Sequence, residues 1–544
     1  MREDADIARD VEGWLARHER KGLLRFVIVG SVDDGKSTLI GRLLHDVDGV
    51  YDDQLAGVKR ASARGAIHDG DGGDIDFSLF TDGLKAEREQ GITIDVAYRY
   101  FSTPARKYIL ADTPGHVQYT RNMATGASTA DAAVLLLDAR LGVLPQSRRH
   151  AYIASLLGIR ELVACVNKMD LVGWDEAVFA RVRDDFAAFT ARLGFREVRF
   201  VPVSARRGDN VVRRSALSPW YDGPTLLESL EALPLAEASA DGPLRLPVQM
   251  VLRPNLHYRG YAGQLASGTL RPGDRVRVLP SGRETTVKAL DGWRGPLDEV
   301  RAPASVTVRL DDEVDVSRGD VIVGVDAAPS TVRRAVADLV WLGERAFDPS
   351  RRLLLKHTTR TVGARIEAIV GRTDLDTLET VPADGLALND VAVVVVSCSR
   401  ALHIDPYASV RGTGAFILID AVGNGTVAAG MFRADAPPAE PTSAGGPVTA
   451  AERASRWGHG GAVVVLPDRA AADALDRALF ERGAASVVLD GESVLAAPRL
   501  AAAGLVAIAV DGVETLFSGT SMEIVRVPND IDAVSELTAR GVLR

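Results

Sequence analysis

The amino-acid sequence predicts a multidomain protein in which an α/β domain is followed by two β-barrel domains and a small C-terminal α/β domain. The chain has 544 residues, and a single hydrophobic core rarely grows beyond about 250–300 residues, so several domains are expected. The sequence pattern also changes twice. Alternating strand and helix patterns give way near residue 241 to short runs punctuated by Gly and Pro, and a Pro-rich stretch follows residue 433.

The first region alternates short β-branched runs with longer helical patterns, which predicts a parallel sheet covered by helices. Its candidate strands are Leu24–Gly30, Tyr108–Asp112, Val134–Asp138, Leu162–Asn167 and Phe200–Ser204. The turn-rich region after it is typical of β-barrels, with a division near Ser330. The predicted divisions are an N-terminal segment 1–20, an α/β domain 21–240, barrels 241–330 and 331–433, a linker 434–449 and a C-terminal domain 450–544.

Composition and charge exclude several functional classes. The 64 Lys and Arg residues against 73 Asp and Glu give a net charge of −9, so a chain-wide basic surface for nucleic acid is absent from the sequence. The two cysteines, Cys165 and Cys398, stand in apolar runs, which argues against a disulfide framework or a Cys-ligated metal. No apolar stretch approaches the roughly 20 residues that cross a bilayer. We therefore expect a cytoplasmic protein that binds neither nucleic acid nor membrane.

A phosphate-binding loop is the most specific motif. Residues Gly30–Ser37 read G-x-x-x-x-G-K-S between an apolar run and a helical pattern. The backbone N–H groups of such a loop face phosphate oxygens, Lys36 bridges the outer phosphates and Ser37 reaches Mg²⁺. For Asp33, a contact with a bound cation or a loop amide and a solvated position all stay open. The predicted nucleotide-binding residues here are Gly30, Ser31, Val32, Asp33, Asp34, Gly35, Lys36, Ser37 and Thr38.

The motif Asp112-Thr113-Pro114-Gly115 ends a second apolar run. At that position a carboxylate can hold Mg²⁺ through water while the Gly115 N–H faces the γ-phosphate. His116 follows directly, where an imidazole can orient the water that attacks this phosphate. The predicted catalytic residues are His116, Lys36, Thr93 and Gly115, and the predicted Mg²⁺ ligands are Ser37, Thr93 and Asp112.

Thr93 stands in the sequence Gly-Ile-Thr-Ile, where its hydroxyl can complete the Mg²⁺ shell when the γ-phosphate is present. The preceding stretch 68–76 is rich in Gly and Asp. This composition is typical of a segment that orders and disorders with nucleotide. A merely solvated loop is the open alternative for the acidic stretch.

The motif Asn167-Lys168-Met169-Asp170 closes another strand and predicts which base is bound. The Asp170 carboxylate can accept hydrogen bonds from N1–H and the exocyclic amine of guanine. Adenine offers neither donor and would leave the acceptor unpaired, at a cost of about 1–3 kcal/mol. Ser204 and Ala205 end a later strand, where a backbone N–H can reach guanine O6. The sequence therefore predicts GTP, with Mg²⁺, as the ligand.

Three segments carry a resemblance to a known family: Val32–Leu44, Ala86–Phe101 and Gly115–Ser128. They resemble the translation-factor class of GTPases and, more closely, the GTPase subunit of bacterial ATP sulfurylase. Elongation factors share the second segment only through its Gly-Ile-Thr core and typically carry His where Asp34 stands. Together with segments of both barrel regions, the likeness covers roughly residues 20–433.

This resemblance implies a partner. In the family, a separate small adenylyltransferase subunit binds ATP and sulfate and makes adenylylsulfate and diphosphate, while GTP hydrolysis on the large subunit drives that reaction. A hetero-oligomer is therefore expected. Two alternatives stay open: a translation-factor-like GTPase acting on tRNA or the ribosome, which the −9 charge and the match at residues 90–101 disfavour, and a bifunctional sulfurylase and adenylylsulfate kinase.

The C-terminal region resembles the opening of an adenylylsulfate kinase at Leu475–Arg482 and Val488–Val494. A kinase would need a second phosphate loop after the candidate strand Val463–Leu466. The sequence there is Pro-Asp-Arg-Ala, and Lys356 is the last lysine of the chain. No lysine can therefore bridge phosphates in this domain. The sequence predicts a degenerate kinase-like domain without phosphotransferase activity, whose role is open between docking and a structural remnant.

A basic patch in the third domain is formed by Lys356–Arg360 with Arg351, Arg352 and Arg365. Contact with a partner or a nucleotide and a solvated face of the sheet are both open for it.

Overall fold

The computed structural model describes residues 21–48, 95–116, 119–234, 240–255, 257–375, 377–435, 437, 453–454, 457, 459–510, 524–528 and 532–543. The predicted N-terminal segment 1–20, the acidic stretch 68–76, Thr93 and most of the linker 434–449 lie outside these described residues.

The first domain is a six-stranded sheet with helices on both faces. Its strands are β1 (Leu23–Gly30), β2 (Ala97–Ser102), β3 (Lys107–Asp112), β4 (Ala132–Asp138), β5 (Glu161–Asn167) and β6 (Glu197–Pro202). Its helices are α1 (Lys36–Asp48), α2 (Thr120–Ser128), α3 (Pro145–Leu156), α4 (Glu176–Thr190) and α5 (Leu226–Ala232). The strand order is β2-β3-β1-β4-β5-β6, and every residue of β4 and β5 is buried. Burial on both faces explains why these two strands read as unbroken apolar runs.

One edge strand departs from the predicted parallel sheet. Strand β2 was not among the candidate strands, and it pairs antiparallel with β3. A short turn joins the two strands, in which the Thr103 hydroxyl oxygen accepts the N–H groups of Ala105 and Arg106 at 3.2 and 3.3 Å. So short a connection cannot carry a parallel crossover, and only an antiparallel hairpin can form.

Two closed β-barrels follow. The first contains β7 (Arg245–Leu252), β8 (Gly260–Leu265), β9 (Thr269–Leu270), β10 (Arg275–Leu279), β11 (Arg283–Gly292), β12 (Gly295–Leu297), β13 (Val300–Arg301), β14 (Ala304–Leu310) and β15 (Val321–Gly324). Six strands run in the order β10-β15-β7-β8-β14-β11, and the pairing of β10 with β11 closes the ring. Closure removes the exposed strand edges that would otherwise pair with other chains.

The second barrel has the same closed design. It contains β16 (Ser330–Trp341), β17 (Leu353–His357), β18 (Arg360–Thr373), β19 (Thr380–Val381), β20 (Val391–Ile404), the short helix α6 (Arg411–Gly414), β21 (Ala415–Asp420) and β22 (Thr426–Phe432). The order is β17-β21-β22-β16-β20-β18, closed by the pairing of β17 with β18.

The C-terminal domain is a small parallel sheet with helices. It contains β23 (Ala462–Leu466), α7 (Arg469–Glu481), β24 (Ser486–Val488), α8 (Ala497–Ala502), β25 (Val506–Val510), β26 (Ile524–Arg526) and α9 (Ala533–Ala539), with the strand order β24-β25-β23-β26. Helix α7 buries Ala472, Leu475 and Leu479, whose spacing places them on one face of the helix.

Direct contacts join the first three domains. The Tyr407 hydroxyl of the second barrel donates to the Leu157 carbonyl oxygen at 2.8 Å, and Arg121 of α2 donates to the carbonyl oxygen of Leu342 at the same distance. Between the barrels, Arg245 forms a buried two-point ion pair with Asp405, with both bonds at 2.8 Å. Helix α2 follows the Asp112–His116 motif. Through Arg121, the second barrel therefore contacts the helix that comes directly after this motif. No helix of the described chain has the length and apolar character needed to cross a membrane.

Candidate nucleotide site

The predicted motifs meet at one edge of the first sheet. The segments after β1, β3, β5 and β6 all leave the carboxyl ends of parallel strands. Ligands of open α/β sheets bind beyond this edge. Apart from Thr93, every site residue predicted from the sequence is described, and the structure places all of these in the segments at this edge or in the first turn of α1.

The phosphate loop folds tightly between β1 and α1. Asp33 and Gly35 both have left-handed backbone conformations, with φ of 63° and 91°. A Cβ atom at Gly35 would lie 2.6 Å from the side-chain nitrogen of Asn167. Only glycine therefore fits there, because both the backbone conformation and the contact exclude a side chain.

Lys36 lies folded over this loop. Its ammonium group donates to the carbonyl oxygens of Gly30 at 2.9 Å and Ser31 at 2.7 Å, and the residue is only 8% exposed. Burial lowers the pKa of Lys36, and the carboxylates of Asp34, Asp112 and Asp33 oppose that shift. Burial therefore disfavours the ammonium charge, and the neighbouring carboxylates offset only part of this effect.

The Asp112–Gly115 motif packs directly against the loop. A Cβ atom at Gly115 would meet the Lys36 Nζ atom and would lie 2.9 Å from the Gly30 carbonyl oxygen. The Thr113 hydroxyl donates to the Ile28 carbonyl oxygen at 2.7 Å, which fixes the motif to β1. Glycine at position 115 lets its backbone approach Lys36 as closely as a γ-phosphate contact requires.

Asp34 has a role that the sequence did not reveal. It is 1% exposed, and its carboxylate accepts the Ser31 N–H at 2.5 Å. Burial raises the pKa of Asp34 to about 6, although the charge of Lys36 and the bond from Ser31 oppose the shift. The side chain therefore shapes the loop from inside. The one sequence signal was that elongation factors typically carry His at this position.

The oxygen atoms present fit a Mg²⁺ ion. The Asp112 carboxylate is 1% exposed at the end of β3, and the half-buried Ser37 lies in the first turn of α1. Mg²⁺ prefers such hard oxygen ligands and usually combines one or two carboxylates with substrate phosphates and water. The assignments of Ser37 and Asp112 stay predictions, and the third predicted ligand, Thr93, lies outside the described residues.

His116 ends the second motif. The residue is half-buried, and its ring packs edge-on against Tyr119 with the ring centres 6.2 Å apart. Its carbonyl oxygen accepts the Tyr119 N–H at 3.0 Å, one residue before α2 begins. The imidazole therefore lies between Gly115 and the start of α2. Its catalytic role stays a prediction.

Asn167 joins the phosphate loop to the base-reading segments. Its amide nitrogen donates to the Asp34 carbonyl oxygen at 2.7 Å, and its amide oxygen accepts the Ala205 N–H at 2.9 Å. The residue is 2% exposed. One buried side chain therefore holds three segments in register, a structural task that the sequence pattern did not show.

Lys168 is held by one carboxylate and one backbone carbonyl oxygen. It forms an ion pair with Asp138 at 2.9 Å and also donates to the Asp33 carbonyl oxygen. Burial of Asp138 opposes its ionisation, but hydrogen bonds from Arg140 and Lys168 outweigh burial and lower the pKa of Asp138 to about 2. Asp138 and Arg140 were missed by sequence reasoning; the position of Asp138 at the end of β4 was the available signal.

The base-reading residues lie beside this network. The Asp170 side chain is 9% exposed, and its carboxylate lies 3.8 Å from the guanidinium of Arg207. The Ser204 N–H donates to the Asp209 carbonyl oxygen at 3.2 Å, and the Ala205 N–H already donates to Asn167. A bond from this segment to guanine O6 would have to share the Ala205 N–H, so that contact stays a prediction.

The corresponding edge of the C-terminal sheet has a different arrangement. Only Pro467 and Asp468 separate β23 from α7, and the Asp468 carboxylate accepts the Ala471 N–H at 2.8 Å. Arg469 is engaged by Asp473 at 2.9 Å and by Asp490 at 3.1 Å. An acidic side chain therefore caps the helix N-terminus, where a kinase would bind phosphate.

Comparisons with known proteins agree with this geometry. Residues 21–238 match the family described as Elongation factor Tu GTP binding domain, and residues 334–433 match the GTP-eEF1A C-terminal domain-like family. The sulfate adenylyltransferase subunit 1 of Chromobacterium violaceum is 51% identical over 438 residues, which cover 80% of this chain and 91% of that protein. Its counterpart from Cellvibrio japonicus is 52% identical over 426 residues, covering 78% and 89%.

A longer match reaches the C-terminal domain. The Rhodopirellula baltica protein named Bifunctional enzyme CysN/CysC is 48% identical over 510 residues, which cover 90% of this chain and 78% of that protein. An α/β nucleotide-type domain with two closed barrels and this level of identity establish the family: the chain belongs to the sulfate adenylyltransferase subunit 1 family.

Proposed function

We propose that this protein is the GTP-hydrolysing subunit of an ATP sulfurylase and that it couples GTP hydrolysis to the formation of adenylylsulfate and diphosphate from ATP and sulfate. Adenylylsulfate formation itself takes place on a separate small adenylyltransferase subunit, which binds ATP and sulfate. The identity to sulfate adenylyltransferase subunit 1 proteins over about four fifths of the chain carries the proposal. The convergence of four motif segments at one sheet edge supports GTP as the nucleotide.

In this proposal each described motif has one task. The backbone of Gly30–Ser37 and the Lys36 ammonium bind the phosphates, and Asp170 accepts hydrogen bonds from guanine. Ser37 and Asp112, with Thr93, hold Mg²⁺, which supplies neutralisation of the charge on the transferring phosphate. The Gly115 N–H faces the γ-phosphate. His116 orients the attacking water by accepting a hydrogen bond from it.

Coupling to the small subunit requires that the GTP and GDP states bind that partner, or its intermediates, with different free energies. Ordinary coupling corresponds to about 1–3 kcal/mol. The contact of Arg121 with the Leu342 carbonyl oxygen supports a route for such coupling, because it joins the helix after His116 to the second barrel. The assembly proposed here is therefore a hetero-oligomer.

One assay tests the coupling. GTP turnover is measured with and without the small adenylyltransferase subunit, ATP and sulfate, while adenylylsulfate is quantified. We expect GTP turnover to rise when all three are present and adenylylsulfate yield to depend on GTP. No stimulation and no GTP-dependent product would contradict the proposal. Stimulation by ribosomes instead would support the translation-factor alternative.

Base selection has its own test. Asp170→Asn replaces an acceptor with a group that can donate to O2 of xanthine. We expect GTP affinity to fall about tenfold to a hundredfold and xanthosine triphosphate to become the preferred nucleotide. Arg207→Gln, which changes the neighbour of Asp170 without touching the acceptor, serves as the control. Undiminished GTP affinity in Asp170→Asn would remove the base-reading role from this residue.

We further propose that the C-terminal domain is kinase-like in fold but has no phosphotransferase activity. The similarity to a protein named as a bifunctional enzyme extends into this domain, which supports the kinase lineage. The short connection after β23 and the Asp468 cap support the loss of activity. Incubation of this chain with ATP and adenylylsulfate should yield no 3′-phosphorylated product, and product formation would overturn this part of the proposal.

A further inference from the structure

Four buried polar atoms at the end of the second barrel have no hydrogen-bond partner in the described part of the chain. We call the residues Thr358, Thr359, Arg360 and His403 the hairpin cluster. The two threonine Oγ1 atoms, Nη1 of Arg360 and Nε2 of His403 are each buried, and none has a hydrogen-bond partner among the residues that the structure describes. Buried polar atoms are almost always paired, so four such atoms in a small region need a physical explanation.

Three of these residues are adjacent in a tight turn. His357 of β17 pairs with Arg360 of β18, so Thr358 and Thr359 are the two connecting residues. Thr358 has φ of 50°, a conformation that glycine normally supplies at this position of a hairpin and that β-branched residues rarely adopt. The chain therefore keeps a hydroxyl-bearing side chain where backbone preference favours glycine.

His403 comes to the same place from strand β20. Strands β18 and β20 pair as far as Ala364 and Cys398, and a Cβ atom at Gly363 would lie 3.3 Å from the Ser399 hydroxyl oxygen, so the two strands stay adjacent towards the turn; further along β20, His403 pairs with Thr331 of β16. The histidine is 6% exposed, and its Nδ1 atom bonds the Thr331 hydroxyl at 3.0 Å. Burial and the charge of Arg360 both lower the pKa of His403, which agrees with a position close to the guanidinium.

The acidic groups near the cluster have other partners. Asp405 is held by Arg245 in the two-point ion pair between the barrels. Asp320, which lies on the first barrel, accepts the Ser317 N–H at 2.9 Å. Arg360 itself makes no ion pair with any residue of the described chain. Its charge is partly buried beside Gly319, where a Cβ atom would lie 3.5 Å from the Cβ of Arg360.

The chemistry of the four atoms defines the ligand that would satisfy them. A guanidinium nitrogen only donates hydrogen bonds, and the two hydroxyls and the imidazole nitrogen can also donate. A metal cation is excluded because Arg360 offers positive charge and no lone pair. The complementary ligand is a negatively charged acceptor with several oxygens, which forms the stronger charge-assisted hydrogen bonds.

We propose that the hairpin cluster binds a small tetrahedral oxyanion, sulfate or inorganic phosphate, at the junction of the two barrels. The anion neutralises Arg360 and accepts hydrogen bonds from Thr358, Thr359 and His403. Because Arg360 lies next to Gly319, the bound anion connects the second barrel with the loop between β14 and β15 of the first barrel. The site is separate from the phosphate loop, and it requires no assumption about the reaction of the partner subunit.

Anion-dependent thermal unfolding of the full chain tests this proposal. Saturating GDP and Mg²⁺ fill the phosphate loop, and sodium sulfate or sodium phosphate is then titrated against sodium chloride at equal ionic strength. We expect the unfolding midpoint to rise with a saturable dependence on sulfate, phosphate or both, and the two arms identify the anion. A crystal soaked in selenate should show anomalous scattering beside Arg360.

Variants separate binding at the cluster from a general salt effect. Arg360→Gln should weaken the apparent anion affinity about tenfold, and Thr359→Val, which keeps the side-chain shape, should weaken it several-fold. Arg365→Gln removes an exposed arginine from the same strand and should leave the affinity unchanged. A cluster filled by water only would give no anion-specific shift, or the same shift in all four proteins, and either result would overturn the proposal.

Discussion

The described chain contains a mixed sheet in the first domain and a parallel sheet in the C-terminal domain, and in each of them a strand leads through a loop into a helix. The two loops differ in length and in the residues that they present. Five residues lie between β1 and α1 and end in Gly35, with Gly30 as the last residue of β1 and Lys36 as the first residue of the helix. Between β23 and α7 there are two residues, Pro467 and Asp468. The first loop is long enough to fold back and presents a cation, whereas the second ends in a carboxylate that caps the helix itself.

This difference shows that strand–loop–helix topology does not by itself make a phosphate site. A phosphate nest needs enough backbone to turn several N–H groups inward, glycine where the backbone turns tightly, and a cation. In the second loop the Asp468 side chain satisfies a helix N–H that an anion would otherwise contact. The second loop therefore lacks the length and the glycines of the first loop as well as its lysine.

The largest effect is expected at the cation that begins α1, Lys36, and it is compared with Arg469, the cation that begins α7. Lys36→Ala should lower kcat/KM for GTP by about 10³-fold or more, because Lys36 provides the charge that stabilises the transferring phosphate. Arg469→Ala, the matched change at the start of α7, should leave GTP hydrolysis unchanged. Steady-state kinetics of both variants measure this contrast. Equal losses would show that the two helix starts are functionally alike and would end the comparison.

His116→Ala should slow GTP hydrolysis by about 10²-fold while nucleotide affinity is kept, because the imidazole acts on water and not on the bound nucleotide. Single-turnover hydrolysis and fluorescence binding of labelled GTP separate the two quantities. Tyr119→Phe keeps the ring that packs against His116 and is the control. An unchanged hydrolysis rate in His116→Ala would remove the catalytic assignment.

Asp34 provides a pH-dependent test of the first loop. Its pKa is raised from 3.8 to about 6 in the folded protein, so its contribution to stability is present below about pH 4 and is lost as pH rises through 6. Asp34→Asn replaces the carboxyl group with an amide that does not ionise, so the cost of burying a charge above pH 6 is removed. The free energy of unfolding of nucleotide-free Asp34→Asn should exceed that of the parent at pH 7.5 by on the order of 2 kcal/mol.

This advantage of Asp34→Asn should shrink as pH falls from 7 to 4.5, which urea unfolding at several pH values measures. Asp33→Asn changes the exposed neighbour and should alter stability by less than about 0.5 kcal/mol. A stability difference at Asp34 that does not vary with pH would show that burial of the carboxylate is not its cause.

The smallest effect is expected at the second loop. Asp468→Ala removes the cap of α7 and should destabilise the C-terminal domain by about 1 kcal/mol. Asp468→Asn keeps a capping oxygen and should cost less. The stability of both variants is measured by thermal unfolding and by hydrogen exchange of the α7 amides. If Asp468→Ala stabilised the domain, the carboxylate would not be the group that satisfies the helix N-terminus.

The sequence determined the features that are local in the chain. The order of the motifs, the change from α/β to barrel patterns and the lack of lysine after Lys356 can all be read directly. Strands β4 and β5 were recognisable because burial on both faces leaves a continuous apolar run. The absence of a phosphate-loop motif after β23 is also a local property, because it depends on which residues follow one strand.

The tertiary structure decided what depends on residues far apart in the sequence. Asn167 holds the phosphate loop through Asp34, 133 positions away, and the buried carboxylate of Asp34 acts on the loop from inside. The predicted basic patch of the third domain is also not one continuous surface. His357 is buried and bonds the Thr413 carbonyl oxygen, while Lys356 is exposed. Periodicity and motifs report the backbone and the residue types, but burial and long-range pairing arise only when the strands assemble.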